Sequence, residues 1–467
     1  MKRLLLFATV ATALISACGG GGSPGSPPAN SQTPGTSNTT VQVNLGDGPA
    51  DRLLAVGMTV NSLTLHHTNG SAVSVLTSPR PIEMMHLMGT VTPLAFSSVP
   101  QGTYTGATMT FGNAAVTHVD AATGQFAQRA APGPMVANVS FNPPMTVGAT
   151  PTVINFDMDM AASVTIDANG NVTMTPTLSA RANPMVAGGR HPEDGGMRGM
   201  AGAVSGISGD AFTLSTTQGL TGTSLMTYSG THFSDLNGMH MMTGNMLVSV
   251  DATLRPDGTW IVDHVQSQTG AGGAMAAGVI TGVAGNPPSQ LTLVMHDGVG
   301  DGMVSSSLAG TTTVNLGSTT QFVIDADDVD LSGLPFTPQF DPAHLSKGQA
   351  IRAWSNARFE HDGHGMGGMF SGGTVTASSI YLKHQGLRGT MSGYATNGSQ
   401  ASFTLTMPAD SAFAALTGTT TVTVYQQGGT QLRGLTSLAN GHTVLARGLL
   451  FLDSGVYRLV ASRLAAS

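Results

Sequence analysis

The chain has 467 residues, 40% hydrophobic and only 9% charged, with a formal net charge of -7 and a single cysteine. One thiol excludes an intramolecular disulfide or a multi-thiolate metal centre, so stability must come from packing and sheet hydrogen bonds. Charge is thin against the roughly one quarter usual in soluble domains. No basic stripe gathers anywhere, which argues against nucleic acid as a partner.

The chain opens with the cationic Met1-Lys2-Arg3, and an apolar run from Leu4 to Ile15 follows. That run is too short to span a bilayer as a mature helix. Ile15-Ser16-Ala17-Cys18 then resembles the lipobox of a bacterial lipoprotein signal. The resemblance implies a signal peptide over 1–17, a diacylglycerol thioether on Cys18 Sγ, cleavage before Cys18 and acylation (a palmitate-type chain) of the new amino terminus. Several acyl chains together give lasting attachment, at about 0.8 kcal/mol per buried methylene. By the same resemblance Gly19, where Asp would signal inner-membrane retention, implies export to the outer membrane. Residues 19–40, GGGGSPGSPPANSQTPGTSNTT, cannot bury a core and read as a disordered tether of about 70 Å if extended. The lipidated cysteine and linker thus occupy 18–40, and no apolar run of 18 or more residues follows.

From Val41 onward short runs of Val, Ile, Thr and Leu alternate with polar residues, broken by Gly, Asn-Gly and Asp-Gly. Ile154, Phe156, Met158 and Met160 alternate with Asn155, Asp157 and Asp159, giving one apolar and one wet face. Asn169-Gly170 and Asp257-Gly258 predict tight hairpins whose two central residues take positive φ. The best short helix is Pro81 to Met88. The expected fold class is all-β: one β-sandwich and then three small OB-like β-barrel repeats, behind the signal peptide and linker.

The order VQVNLGDGPAD, LLAVGMTVNSLTLHH, PIEMMHLMG, SVPQGTYTGATMTFGNAAV and INFDMDMAASVTID, ending in NVTMTPTLSAR, runs through 41–183. It resembles the bacterial lipoprotein domain catalogued as domain of unknown function 4382. PIEMMHLMG departs from that pattern, which usually reads closer to I-D-L-L-x-L. The resemblance implies a β-sandwich and no chemistry.

The remainder repeats. GAVSGISGDAFTLST at 202, GVITGVAGNPPSQLTLVM at 278 and GTMSGYATNGSQASFTLTM at 389 share one layout, placing Gly206, Gly282 and Gly393 at the same point. TTTVNL at 311 matches TTTVTV at 419, followed by Thr320-Gln321-Phe322 and Thr430-Gln431-Leu432. Each copy has about five strands, enough to close a small barrel. The pattern resembles domain of unknown function 5666, again without assigned chemistry. Expected boundaries are a Gly/Met-rich linker at 184–201, repeats at 202–270, 278–385 and 386–467, and a second joint at 270–277. The joints, poor in residues able to pack, are expected to be nicked first by protease.

Motif matches fail on context. Gly21-Gly22-Ser23-Pro24-Gly25 fits G-x-S-x-G but lies in the tether. Gly363, Gly365 and Gly368 fit G-x-G-x-x-G but precede a strand where a helix is needed. No H-E-x-x-H, P-loop or Ser/His/Asp grouping appears, so the chain is expected not to be an enzyme. Met and His bunch at 84–88, at 239–242, at His191/Met197/Met200 and at His361, His364, Met366 and Met369. The last set, in a Gly-rich loop, has the thioether and imidazole chemistry that suits Cu(I) or Ag(I), although Met also fills irregular cores. Asp325, Asp327, Asp328 and Asp330 crowd hard oxygens that suit Ca²⁺, but lack the glycine and late Glu of an EF-hand, and equally fit a solvated turn.

The expectation is a non-catalytic, lipid-anchored envelope protein for display, adhesion or assembly. Its expected partners are the membrane, through the lipid, and a glycan or envelope protein, with no nucleic acid. The alternatives are a periplasm-facing Cu(I)/Ag(I)-binding lipoprotein and, with no residue to name, an envelope hydrolase.

Overall fold

Period-two alternation puts one side of each strand in a core, and in a computed structural model of the chain strands dominate throughout. The structure describes residues 37–466 other than 121–122, 187, 190, 217–222, 235, 270–272, 301–302, 305–307, 327, 358–370, 399 and 436.

The first module is a sandwich. One sheet runs in the order Leu178–Pro184, Thr152–Asp159, Asn38–Gly48 and Val91–Pro100, its middle pair parallel. The other centres on Leu53–His67 against Gly102–Val119, with Ala72–Ser74 and Arg80–Glu83 on the first of these and Phe126–Ala131 and Met135–Val147 on the second. Val41, Val43, Leu45 and Phe156 of one sheet meet Met58, Val60, Leu63 and Phe111 of the other in a single buried cluster. Ile154, Phe156, Met158 and Met160 are fully buried, while Asp157 and Asp159 are exposed. Gly102, at φ 153°, lies so close to His67 that a Cβ would meet its Nε2 at 2.1 Å. Two residues on, Tyr104 donates its hydroxyl to the carbonyl of Pro100 at 2.7 Å, pinning this hairpin. The predicted short helix is a 3-10 turn, Met85–Leu87.

Three five-stranded units follow, and the same cyclic pairing recurs in each. The first unit has Gly196–Ser208, Ala211–Thr216, a third strand split into Thr223–Met226 and His232–Ser234, Leu247–Leu254 and Trp260–Thr269. The second has Ala274–Gly285, Pro288–Gly300, Thr311–Ile324, Ala350–Ser355 and Ser371–Leu382. The third has Gln385–Asn397, Gln400–Thr406, Thr421–Arg433, Thr443–Asp453 and Val456–Ala466. In all three the first strand pairs with the second and fourth, the second with the third, and the fifth with the fourth and, in parallel, the third. The order 1-2-3-5-4-1 closes each sheet on itself and leaves no long edge.

The equivalence reaches single residues. Gly206, Gly282 and Gly393 each sit where the first strand bulges against the second. Each third strand is also interrupted, between Met226 and His232, Leu316 and Gln321, and Gln426 and Gln431. A threonine bridges every interruption. Thr231, Thr320 and Thr430 donate to the fifth-strand carbonyls of Val262, Ala377 and Ala461 at 2.7, 2.8 and 2.7 Å. Each also accepts from a backbone N–H upstream, of Tyr228, Gly317 and Gln427.

Two expectations differ from what forms. At the predicted hairpins only Gly170 and Gly258 take positive φ, because five-residue loops closed by Asp side chains replace two-residue turns. The expected joints are partly strand: Gly196–Ser208 and Ala274–Gly285 begin inside them, with Met197, Ala201, Met275 and Ala276 buried. Their small residues let the first two barrels approach, and Ala201, Ala203 and Leu247 pack on Met275, Ala277 and Trp354. Ser37–Ser467 is one compact unit rather than beads on a string. The second barrel's insertion contributes to this: Phe336 packs against Tyr425 and Phe451 and under the Arg458 guanidinium of the third barrel.

Candidate functional site

Cys18, His361, His364, Met366, Met369 and Asp327 lie outside the described residues, as do the glycine patterns at 21–25 and 363–368. The remaining aspartates face different ways. Asp325 pairs with Lys383 Nζ; burial pushes its carboxyl up, but the Lys383 ammonium, with His384 and Arg352 beyond it, holds it below the ordinary range. Asp328 takes Arg198 Nη1 at 2.5 Å, and Asp330 accepts the Ser332 N–H at 2.8 Å. Among the described residues no three of His, Cys, Asp and Glu are placed to hold a metal ion. Met84, Met85 and Met88 are buried in the sandwich core, and Met197 and Met242 in the first barrel's core, the use of Met as an adaptable filler.

The structure draws together a set of residues that no motif announced. Where the sandwich and the three barrels meet there is a cavity of about 260 Å³. Arg198, Arg352, Lys383, Arg447 and Arg463 line it with His191 and His384, against Asp297, Asp325 and Asp328. Arg463 donates to the Gly89 carbonyl at 2.7 Å and to Glu193 Oε1 at 2.6 Å. Arg447 Nη1 donates to the carbonyls of His86 and Met88 at 3.2 and 3.0 Å. Burial and the neighbouring Arg463 push the Arg447 guanidinium down to about 10. Burial, Arg447 and Lys383 together press His384 down to about 4, so its imidazole is neutral at physiological pH. A smaller cavity of about 100 Å³, walled by Leu53, Leu54, Met85, Phe413 and Leu416, shares His86 and His384 with it.

Behind this junction lies a second buried polar group. Burial pushes Glu83 up, yet His296, His86 and the Val56 N–H hold it below its ordinary value. Its carboxylate accepts from the N–H groups of Val56, Met85 and His86 and from His86 Nδ1 at 2.7 to 3.1 Å, fixing the 3-10 turn. Asp47 is the opposite case. It is 4% exposed, neither carboxyl oxygen has a partner, and burial, then Glu83, Asp157 and Asp159, raise it well above the ordinary carboxylate range. One signal in the sequence pointed to the junction: in so weakly charged a chain, Arg447 and Arg463 interrupt apolar strands, Leu-Ala-Arg-Gly-Leu and Ala-Ser-Arg-Leu.

Residues 38–176 match the family described as Domain of unknown function (DUF4382). That match covers the sandwich and leaves the barrels unassigned. No curated protein matches the chain. Matches among solved structures include the single-stranded DNA binding protein from Thermus aquaticus, as wild type and as the deletion mutant delta 228-252 R190A. Each is 16% identical; the wild type covers 43% of this chain and 94% of its own with a TM-score of 0.15, the mutant 42% and 95% with 0.16. These matches correct the partner expectation: the exclusion of nucleic acid, drawn from the missing basic stripe, does not stand beside matches to single-stranded DNA binding proteins. Thin charge describes the whole surface and says nothing of what a β-barrel face holds. At such TM-scores the likeness assigns no nucleic acid to this chain either.

Proposed function

We propose that the protein is a lipid-anchored, non-catalytic component of the bacterial cell envelope, held at the outer membrane through Cys18, with a rigid β body serving display, adhesion or assembly. The observation that carries this reading is the cationic head, apolar run and Ile15-Ser16-Ala17-Cys18 sequence, followed by a Gly/Ser/Pro tether. A tether of that composition holds a body off the headgroups. In this reading the three barrels are copies of the unit resembling domain of unknown function 5666. Among the described residues no helix is long and apolar enough to cross a membrane.

Metabolic palmitate labelling in a Gram-negative host, with fractionation of the two membranes, tests the reading. Wild-type chain should take up label and partition with the outer membrane, and Cys18→Ala should do neither and retain its signal segment. A Cys18→Ala chain that is still acylated and membrane-bound would end the proposal.

A further inference from the structure

The junction cavity has more positive charge than its walls consume. Lys383 is paired with Asp325, Arg198 with Asp328, and Arg463 with Glu193. The remaining wall carboxylate, Asp297, has a partner of its own. Arg352 and Arg447 are left, and among the described residues neither has a carboxylate within ion-pair distance. Arg352 leans over the Trp354 ring at 5.8 Å, its Nη1 reaches the Gly199 carbonyl only at 3.5 Å, and its Nε has no partner. Arg447 spends one nitrogen, Nη1, on two backbone carbonyls. His384 gives Nδ1 to the Ser462 hydroxyl at 3.2 Å and leaves Nε2 without a partner. A guanidinium offers five donors in a planar fork that matches an oxyanion, and a buried donor with no acceptor is costly.

We propose that this cavity binds a compact oxyanion, the phosphate or carboxylate group of a small molecule, held by Arg447 and Arg352 with His384 beside them. The volume admits one such group with a few waters. The anion supplies acceptors for Arg352 and Arg447 and offsets their charge, while the bare Nε2 of neutral His384 can accept from a protonated oxygen of the ligand. Burial first, and the neighbouring cations second, depress His384 and Arg447, in keeping with a site that is both enclosed and cationic. The smaller apolar cavity across His86 and His384 is placed to take the non-polar end of a carboxylate ligand. The site spans three modules, since Arg352 and Arg447 stand on fourth strands of different barrels while His86 and Met88 belong to the sandwich.

The test uses the full-length chain in detergent, with inorganic phosphate and hexanoate as probes and chloride at matched ionic strength as control. Ligand that binds the folded state alone raises Tm with the logarithm of its concentration. Phosphate, hexanoate or both should raise Tm beyond chloride, with a saturable calorimetric titration. Arg352→Gln, which leaves the backbone contacts of Arg447 in place, should weaken the effective probe at least about tenfold, the loss expected for a charged hydrogen bond. Arg447→Gln should do the same. A response to phosphate alone assigns a phosphate headgroup, and a stronger response to hexanoate assigns a carboxylate with an apolar tail. No response beyond chloride, or one unchanged in Arg352→Gln and in Arg447→Gln, overturns the proposal.

Discussion

Beside the Phe96–Trp260 contact with the first barrel, two joints hold the sandwich to the second and third barrels, and they are built in opposite ways. At the dry joint Leu54, Ala55, Ala115 and Val119 of the sandwich pack against Val294 and Ala309 of the second barrel and Ala412 and Leu416 of the third. A few directional bonds accompany this apolar contact: Thr117 Oγ1 donates to the Ala309 carbonyl at 2.8 Å, and at its edge the Ala412 N–H and Arg388 Nη1 donate to the carbonyl and carboxylate of Asp51 at 2.7 and 2.8 Å. At the wet joint Leu445 still reaches the sandwich core, but charged directional bonds dominate: Arg447 to two carbonyls, Arg463 to Gly89 and Glu193, and His191 against Gln431. Apolar burial scales with area and tolerates small shifts, whereas charged hydrogen bonds demand one geometry and cost heavily when half broken. The dry joint therefore supplies adhesion and the wet joint supplies register.

The largest effect should come from breaking the dry joint by bulk. A Cβ on Gly57 would lie 2.7 Å from both the Cβ and the carbonyl oxygen of Leu308, with nothing flexible to give way. Gly57→Leu should cost about 3 kcal/mol, as overpacking does in a filled core. Denaturant melts should show a lower midpoint, and a reduced slope would mark separation of the second barrel from the sandwich. An unchanged midpoint would mean that the Leu308–Ala309 loop is not part of the joint.

The wet joint should yield to a smaller change. Arg463→Met takes from Glu193 its partner at 2.6 Å and leaves only Arg433 at 3.7 Å, with the Glu193 and Arg463 side chains both half-buried. A fully buried pair broken this way loses roughly 3–5 kcal/mol, so about 2 kcal/mol is expected here after allowing for solvent. Arg463→Met with Glu193→Gln should recover part of the loss, because the poorly paired buried carboxylate is then gone and Arg433, half exposed, keeps its water. If the double variant is worse than the single one, Glu193 matters through other contacts.

Asp47 sits one strand behind the wet joint, bridged by its backbone to Met88, whose carbonyl takes Arg447. Its folded-state pKa is raised, so its contribution is fully present below about 3.8 and is lost as pH rises through the folded value. Glu83 has the opposite sign: its lowered value contributes above about 4.5 and is lost on acidification. Asp47→Asn should therefore stabilise the protein by about 1–2 kcal/mol at pH 8 and by little at pH 4. Chemical melts across that range check it, and an equal effect at both ends would separate Asp47 from the pH dependence.

What could be read in the sequence tracks distance along the chain. The bulges at Gly206, Gly282 and Gly393 were legible because each rests on neighbours within a hairpin, and the alternation around Phe156 because burial follows strand period. The joints were not. Leu308 reaches Gly57, and Arg447 reaches His86, across hundreds of residues, and no local pattern distinguishes Ala201 in a buried strand from Ala in a linker. The Gly-rich stretch at 270–277 read as loose because it cannot fill space by itself, yet small residues are what close barrel contact requires. Thr320 and Thr430 were matched as a repeat, but Thr231 was not, because its strand is split and His232 replaces the glutamine.

That threonine gives the smallest expected effect and a calibration for both joints. Thr231, Thr320 and Thr430 make the same pair of bonds at nearly the same lengths, all half-buried and away from the dry joint. Threonine to valine keeps the shape and removes the hydroxyl, so each substitution should cost about 0.5–1.5 kcal/mol. The first barrel pairs only two residues on one side of the interruption and three on the other, so Thr231→Val should lie at the upper end of that range. Thr320 and Thr430 are flanked by longer parallel pairings, which share the load. The measurement is three single-variant melts and one triple-variant melt. Losses that add across the triple variant would mean that the barrels respond independently despite the joints. A triple loss well beyond the sum would show that the joints transmit loosening from one barrel to the next, since sites with no shared partner otherwise add.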